Sequence, residues 1–244
     1  MGEDYDRFWE EGPSLFASTD LNFTPTTRTA PTPLTEPTKV TLPNPFVVLV
    51  TGAGKGIGKQ IAFSYAKAHA SGIILCTRTA SDLGPVAEEI AKLSPTTKCI
   101  TMACDVASEE SVKALVPLVT NTFGRLDVLI NNAGVINSAS RKIGAHAPSD
   151  FQTVFNINVV GTFQVTHHFL PLLLGSKDGA KAVVNISNAA AFISRGACAL
   201  SMTKVAVNKF SEFLAGQYGK EGLLAFSVQY VYSGFIPSRL GQRT

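Results

Sequence analysis

At 244 residues the chain is long enough for one well-cored domain with an appendage and too short for two large domains. It is 45% hydrophobic and 16% charged, with a mean hydropathy of +0.18, which excludes a disordered chain and fits a sheet covered on both faces or a buried subunit contact. The net charge of +3 is uneven: residues 1–12 carry −4 and the remainder +7, a mildly basic balance that suits a phosphorylated cofactor as well as nucleic acid.

The opening MGEDYDRFWE has neither a positive flank nor an apolar core, so no secretory signal is expected, and Asp6 stands where an N-myristoylation motif needs Ser or Thr. Tyr5, Phe8, Trp9, Leu15 and Phe16 form a small apolar cluster that would dock the tail onto the domain or a partner subunit; a recognition peptide for another protein is the alternative. Residues 19–45 hold nine threonines and six prolines with almost no apolar periodicity, so residues 1–45 read as an extension laid along the surface. The longest apolar stretch near the domain start, PFVVLV, has six residues, and no run approaches a membrane span. Cys76, Cys99, Cys104 and Cys198 show no CxxC pair and no His at metal spacing. They read as reduced, buried thiols of a cytoplasmic protein, and no metal is expected.

From Pro45 onward, short apolar runs alternate with longer amphipathic segments, the pattern of an α/β fold with a doubly wound, mostly parallel sheet in three layers. Strands are expected at 46–50, 73–77, 98–103, 127–130, 181–186 and 223–228, and helices near 57–69, 82–93, 109–123, 149–170 and 199–218. Asp82 is expected to cap the second helix and Ser108 the third. Residues 46–244 would thus form one nucleotide-binding domain with its ligand outside the carboxyl ends of the strands.

The first strand runs into Thr51-Gly52-Ala53-Gly54-Lys55-Gly56-Ile57-Gly58 and a helix follows at once. Glycines let backbone bend tightly and approach a pyrophosphate, while the helix amino terminus offers unpaired N–H groups. The loop lacks the Lys-Ser/Thr ending of a P-loop, which disfavours a nucleoside triphosphatase.

This loop is similar to the TGxxxGxG fingerprint of the short-chain dehydrogenases/reductases, and Asn131-Asn132-Ala133-Gly134 resembles their NNAG hallmark. Cys104-Asp105-Val106, the stretch Asn158 to Gly161, and Val183 to Ser187 add matches in the family's order. The resemblance implies that Gly52, Lys55, Gly56, Ile57 and Gly58 hold the dinucleotide, that Asp105 bonds the adenine, and that Asn132, Ala133 and Gly134 line the adenosine side. The second strand ends in Cys76-Thr77-Arg78 without the acidic residue that would grip a bare ribose diol. Arg78 and Lys55 would meet a 2′-phosphate, so NADP(H) is expected over NAD(H).

The family's proton relay is a Tyr-x-x-x-Lys pair with a Ser and an Asn. The matching segment here reads Leu200-Ser201-Met202-Thr203-Lys204, so the lysine is present and leucine stands at the tyrosine position. Leucine has no proton to give. Asn158 matches the asparagine, and Ser187 or Asn188 would face the substrate, depending on where the loop absorbs a one-residue deletion. Lys204 would also bind the nicotinamide ribose. Ser201, Tyr218, Tyr230 and Tyr232 are not expected to replace the tyrosine. After strand 223–228 the family continues through a Pro-Gly turn, a substrate-covering segment, a helix and a seventh strand, whereas this chain offers VYSGFIPSRLGQRT, so the last strand and covering segment are expected to be missing and one sheet edge open. Arg141, Lys142 and His146 read as a solvated loop, with anion contacts as the alternative; His167 and His168 read as packing residues. The functional expectation is an NADP(H)-dependent oxidoreductase of a small-molecule carbonyl or alcohol, acting as a homodimer or homotetramer without nucleic acid or membrane partners. A noncatalytic nucleotide-binding scaffold and a non-redox isomerase, dehydratase or cyclase stay open.

Overall fold

The computed structural model describes residues 35–136, 143–192 and 197–228. Six strands form one parallel sheet: β1 (Val47–Thr51), β2 (Gly72–Thr77), β3 (Lys98–Ala103), β4 (Val128–Asn131), β5 (Ala182–Ile186) and β6 (Leu224–Val228). Their order is β3-β2-β1-β4-β5-β6, so the chain winds outward from β1 to β3 and then returns to β1's other side to start β4. The reversal leaves a crevice at the carboxyl ends of β1 and β4, where loops diverge to opposite faces. Helices α1 (Gly56–Lys67), α2 (Gly84–Leu93), α3 (Glu109–Phe123), α4 (Pro148–Phe155), α5 (Gly161–Gly175) and α6 (Cys198–Tyr218) flank the sheet in a three-layer Rossmann-type fold.

All five residues of β1 are buried, as expected for a strand covered on both faces. Successive side chains point to opposite faces, so β1 feeds two cores. Val48 and Val50 pack with Ile73, Leu75, Val86 and Ile90 on the side of α1 and α2, while Leu49 joins Ile74, Leu115, Leu126, Phe169 and Val183 on the side of α3 and α5. β6 is the outermost strand on its side among the described residues, and its Leu224, Phe226 and Val228 are 51%, 47% and 45% exposed on one face.

Ser108 caps α3 as expected, its hydroxyl accepting the Ser111 N–H at 3.2 Å, and Gly124 closes the helix in the left-handed region at φ +66°. Asp82 does not cap α2. It closes a short 3-10 turn, Ala80–Asp82; α2 begins at Gly84 after a Leu83 cap, with Pro85 pre-setting the first turn. The single helix expected over 149–170 is three pieces: α4, a π-helical turn Asn156–Val160, and α5, which runs through Pro171 to Gly175. Phe169 and Leu173, one turn apart and fully buried, outweigh the local cost of the proline. Only Cys76 and Cys104 are buried thiols; Cys99 and Cys198 are half-buried, because strand β3 and the start of α6 are partly open.

Candidate active site

The crevice is built around Thr51, the last residue of β1. Its hydroxyl accepts the N–H groups of Asn132 and Ala133, both at 3.0 Å, and donates to the Ile130 carbonyl at 3.3 Å. Asn132 returns the contact through its side-chain amide, which donates to the Thr51 carbonyl at 2.9 Å and the Gly52 carbonyl at 3.2 Å. The two loops that border the crevice are therefore one hydrogen-bonded unit. Asn132's amide is spent on this job.

Gly52 and Gly56 lie in the left-handed region, at φ +64° and +55°, which a side chain would strain. A Cβ on Gly58 would sit 2.5 Å from both the Gly52 carbonyl oxygen and the Asn132 amide nitrogen, so the first turn of α1 can approach the loop only without one. The residue before α1, Lys55, provides no side-chain cap. The first-turn N–H groups of Gly56, Ile57 and Gly58 are thus open to an anion at the positive end of the helix.

Asn158 sits in the π-helical turn and is buried. Its Oδ1 accepts the Val135 N–H at 2.8 Å, and its Nδ2 donates to the Val135 carbonyl at 3.0 Å and to Thr203 Oγ1 at 3.1 Å. Thr203 donates in turn to the Leu200 carbonyl at 2.8 Å. The asparagine clamps the Gly134–Val135 segment to α6. From Asn158 a buried polar chain continues inward: Thr162 Oγ1 donates to the Asn158 carbonyl, Thr166 Oγ1 to the Thr162 carbonyl, Asn131 Nδ2 to Thr166 Oγ1 and to Asn185 Oδ1, and Asn185 Nδ2 to Ser211 Oγ, at 2.8–2.9 Å throughout.

Lys204 lies one turn after Leu200 on α6, and its Nζ donates to the Ile186 carbonyl at 2.6 Å, at the carboxyl end of β5. The residue is half-buried overall, yet its ammonium is withdrawn from water, and that desolvation lowers its pKa to about 8. Next to Ile186, Ser187 is fully buried and its hydroxyl has no partner among the described residues. Asn188 is occupied, its Oδ1 accepting the Ala190 N–H at 2.8 Å. Of the two residues that the sequence left open, Ser187 has a buried hydroxyl without a partner among the described residues, while Asn188 uses its Oδ1 on the turn that follows.

At the outer end of the crevice Arg78 and Lys55 are exposed, and Lys55 Nζ lies 3.9 Å from Asp82 Oδ2. Half-buried Asp105 accepts the Ala107 N–H through Oδ1 at 3.0 Å, which shapes the turn after β3. A cleft of about 430 Å³ lies elsewhere: Thr38, Asn44, His69, Ser71 and Thr96 line it at the amino ends of the strands, the wrong end of an open α/β sheet for its ligand.

The short chain dehydrogenase family model matches residues 46–244. The chain belongs to this family. Its likeness to other members is broad: it is 34% identical over 232 residues to the short chain dehydrogenase pgmD of Aspergillus terreus, covering 91% of this chain and 74% of that protein. With the short chain dehydrogenase mpl6 of Monascus purpureus it shares 35% over 185 residues, covering 74% of this chain and 62% of that one. Among solved structures, a short chain dehydrogenase from Shigella flexneri complexed with NADP aligns with a TM-score of 0.68 at 28% identity, over 75% of this chain and 76% of that one. A plant relative, the NADPH-dependent pterin aldehyde reductase of Arabidopsis thaliana, is 36% identical over 141 residues, covering 58% of this chain and 55% of that protein.

In this family member the structure brings Gly52 to Gly58, Asn132 to Gly134, Asn158, Ser187 and Lys204 to the carboxyl ends of β1, β4 and β5. Arg141, Lys142, Tyr230, Tyr232 and the apolar cluster of residues 5–16 lie outside the described residues. His168 bridges α5 to α3 through Glu109 at 3.2 Å, while exposed His167 stacks on Phe163. Sequence reading missed Thr51, Thr203 and Asn185. Thr51 heads the glycine motif and Thr203 precedes the lysine, so both were visible as residues, but their bonds cross from one element to another and leave no local pattern.

Proposed function

We propose that the chain is an NADP(H)-dependent oxidoreductase of a carbonyl or alcohol substrate. One observation carries the reading: an uncapped helix amino terminus behind a glycine loop shares the crevice ends with a desolvated lysine and an unpartnered buried serine hydroxyl. The cradle fits a dinucleotide, because its glycines leave backbone where side chains would stand and its open N–H groups suit a pyrophosphate. Gly52, Gly56, Ile57 and Gly58 would hold the pyrophosphate, Asp105, Ala133 and Gly134 the adenosine, and Lys204 the nicotinamide ribose. A bound nicotinamide supplies or accepts the hydride.

The chain's own residues do the rest. Reduction of a carbonyl leaves an alkoxide that needs a proton, and Leu200 offers none. Lys204 holds a proton at Nζ with a pKa of about 8, close enough to neutrality to release it, and Ser187 Oγ is free to donate a hydrogen bond to the same oxygen. Asn158 acts by position, holding Gly134 and Val135 against α6. NADPH dependence of the plant aldehyde reductase and NADP in the Shigella structure support the choice of cofactor.

Residues 46–244 form the catalytic domain in this reading and residues 1–45 an extension, in a cytoplasmic protein. Outward-facing Val160, Phe163, Val205 and Phe213 on neighbouring helices suit burial against a second copy. No helix among the described residues is long and apolar enough to cross a membrane. Leu200 favours a second reading, a subunit that binds nucleotide without turnover.

Titrating the full-length chain with NADPH, followed by nicotinamide fluorescence and by melting, tests the first step; a folded chain that does not bind refutes both readings. A panel of aldehydes and ketones, monitored by NADPH absorbance, separates them. Leu200→Tyr adds the absent phenol one turn from Lys204, and it is expected to raise turnover by about 10²-fold, the lower range for a positioned acid. Binding without turnover in either protein would leave the second reading.

A further inference from the structure

The second strand ends without an acidic residue, yet the fold returns one to the same corner. Asp82 stands against the glycine loop: a Cβ on Gly54 would lie 2.6 Å from Asp82 Cβ and 3.3 Å from Thr77 Cγ2, and Arg78 follows Thr77. Lys55 belongs to the same loop, and its Nζ is 3.9 Å from Asp82 Oδ2. The carboxylate is not used as a helix cap, since Leu83 occupies that position, and Lys55 is its ion-pair partner among the described residues. Asp82 and Lys55 thus meet where the loop, the end of β2 and the turn before α2 converge, and exposed Arg78 is the next residue after Thr77 at that strand end.

We propose that Asp82 sets how strongly this chain discriminates between adenosine ribose with and without a 2′-phosphate, acting against Lys55 and Arg78. The inference rests on the nucleotide-binding reading above. A carboxylate is acceptor-only: it takes the hydroxyls of a bare ribose and repels a phosphate. Ammonium and guanidinium groups do the reverse. With Asp82 beside Lys55, part of that lysine's field is cancelled before an anionic ligand arrives, so the corner is less selective for the phosphorylated ribose than its two cations alone would make it. The sequence placed only the cations here; the turn Ala80–Asp82 adds their counterweight.

The test is calorimetric titration of the full-length protein with NADPH and with NADH, for the wild type, Asp82→Asn and Lys55→Met, the quantity read being Kd(NADH)/Kd(NADPH). Removing one negative charge near a phosphate of about −2 is expected to raise this ratio roughly tenfold in Asp82→Asn at low salt. In Lys55→Met it should fall, and both shifts should shrink at high ionic strength. If NADH binds too weakly to titrate, the NADPH Kd alone decides. Asp82→Ser serves in place of Asp82→Asn if melting shows the latter to be unfolded. A change of less than twofold in the Asp82 variant, in protein that binds NADPH, overturns the inference and leaves the nucleotide-binding reading standing. A folded wild type that binds neither nucleotide overturns both.

Discussion

Replacing Asn158 with alanine removes three hydrogen bonds. The Val135 N–H and carbonyl lose partners at 2.8 and 3.0 Å in a part-buried setting, and Thr203 Oγ1, fully buried, loses the donor at 3.1 Å while keeping its own bond to the Leu200 carbonyl. Counting about 1 to 1.5 kcal/mol for each Val135 group and about 0.5 to 1 kcal/mol for the threonine gives a loss of roughly 2.5 to 4 kcal/mol. For a domain of this size each kcal/mol lowers the melting temperature by about 2–4 °C, so Asn158→Ala should melt roughly 5–16 °C below the wild type. Circular dichroism melting of the two full-length proteins, without nucleotide, measures this directly. A fall below about 2 °C would refute the reasoning, because it would mean that the Gly134–Val135 segment is held by something other than Asn158.

Gly58→Ala places a Cβ 2.5 Å from a backbone carbonyl oxygen and from the Asn132 amide, so it should open the glycine loop and weaken NADPH binding at least tenfold, read by calorimetry. Ser108→Ala removes the α3 cap and should cost about 1 kcal/mol in urea unfolding, leaving nucleotide affinity within twofold. Lys204 has its pKa lowered to about 8 from the ordinary 10.5 by desolvation, so the folded state binds fewer protons than the unfolded state between those values. Its charge therefore opposes folding below pH 8, and stability should rise relative to Lys204→Met as pH increases from 8 towards 10.5; parallel curves for the two proteins in urea titrations across that window would contradict the assignment.

The parts of this protein that were legible in its sequence are those whose cause is local. Alternation of apolar runs gave six strands within a residue or two, and the Ser108 cap and the glycine loop follow from residue types at fixed spacing. Asp82 shows the limit: a capping residue three positions before Pro85 reads as a helix start, but the proline and Gly84 place the first turn beyond its reach. The π-helical turn at Asn156–Val160 was invisible because one widened turn scarcely changes the apolar spacing of a long helix. At the site, the residue types at 158, 187 and 204 could be picked out, but the bond of Asn188 Oδ1 to the Ala190 N–H depends on how the loop turns after β5, which residue types do not reveal. Contacts such as Asn131 to Asn185 join positions 54 apart and depend on the register of two parallel strands, which no window along the chain contains.

The polar chain from Asn158 through Thr162, Thr166, Asn131 and Asn185 to Ser211 spans α5, the two strands beneath it and α6. Apolar surfaces in contact can creep past one another by fractions of an ångström at little cost, but a row of directional bonds has a detent. Any glide of α5 along the sheet would strand several polar groups at once in a place without water, so the helix stays put or leaves altogether. Any adjustment of the site to a ligand is therefore to be sought in the loops around the crevice, while the helix that carries Lys204 keeps its distance from the sheet as a fixed datum.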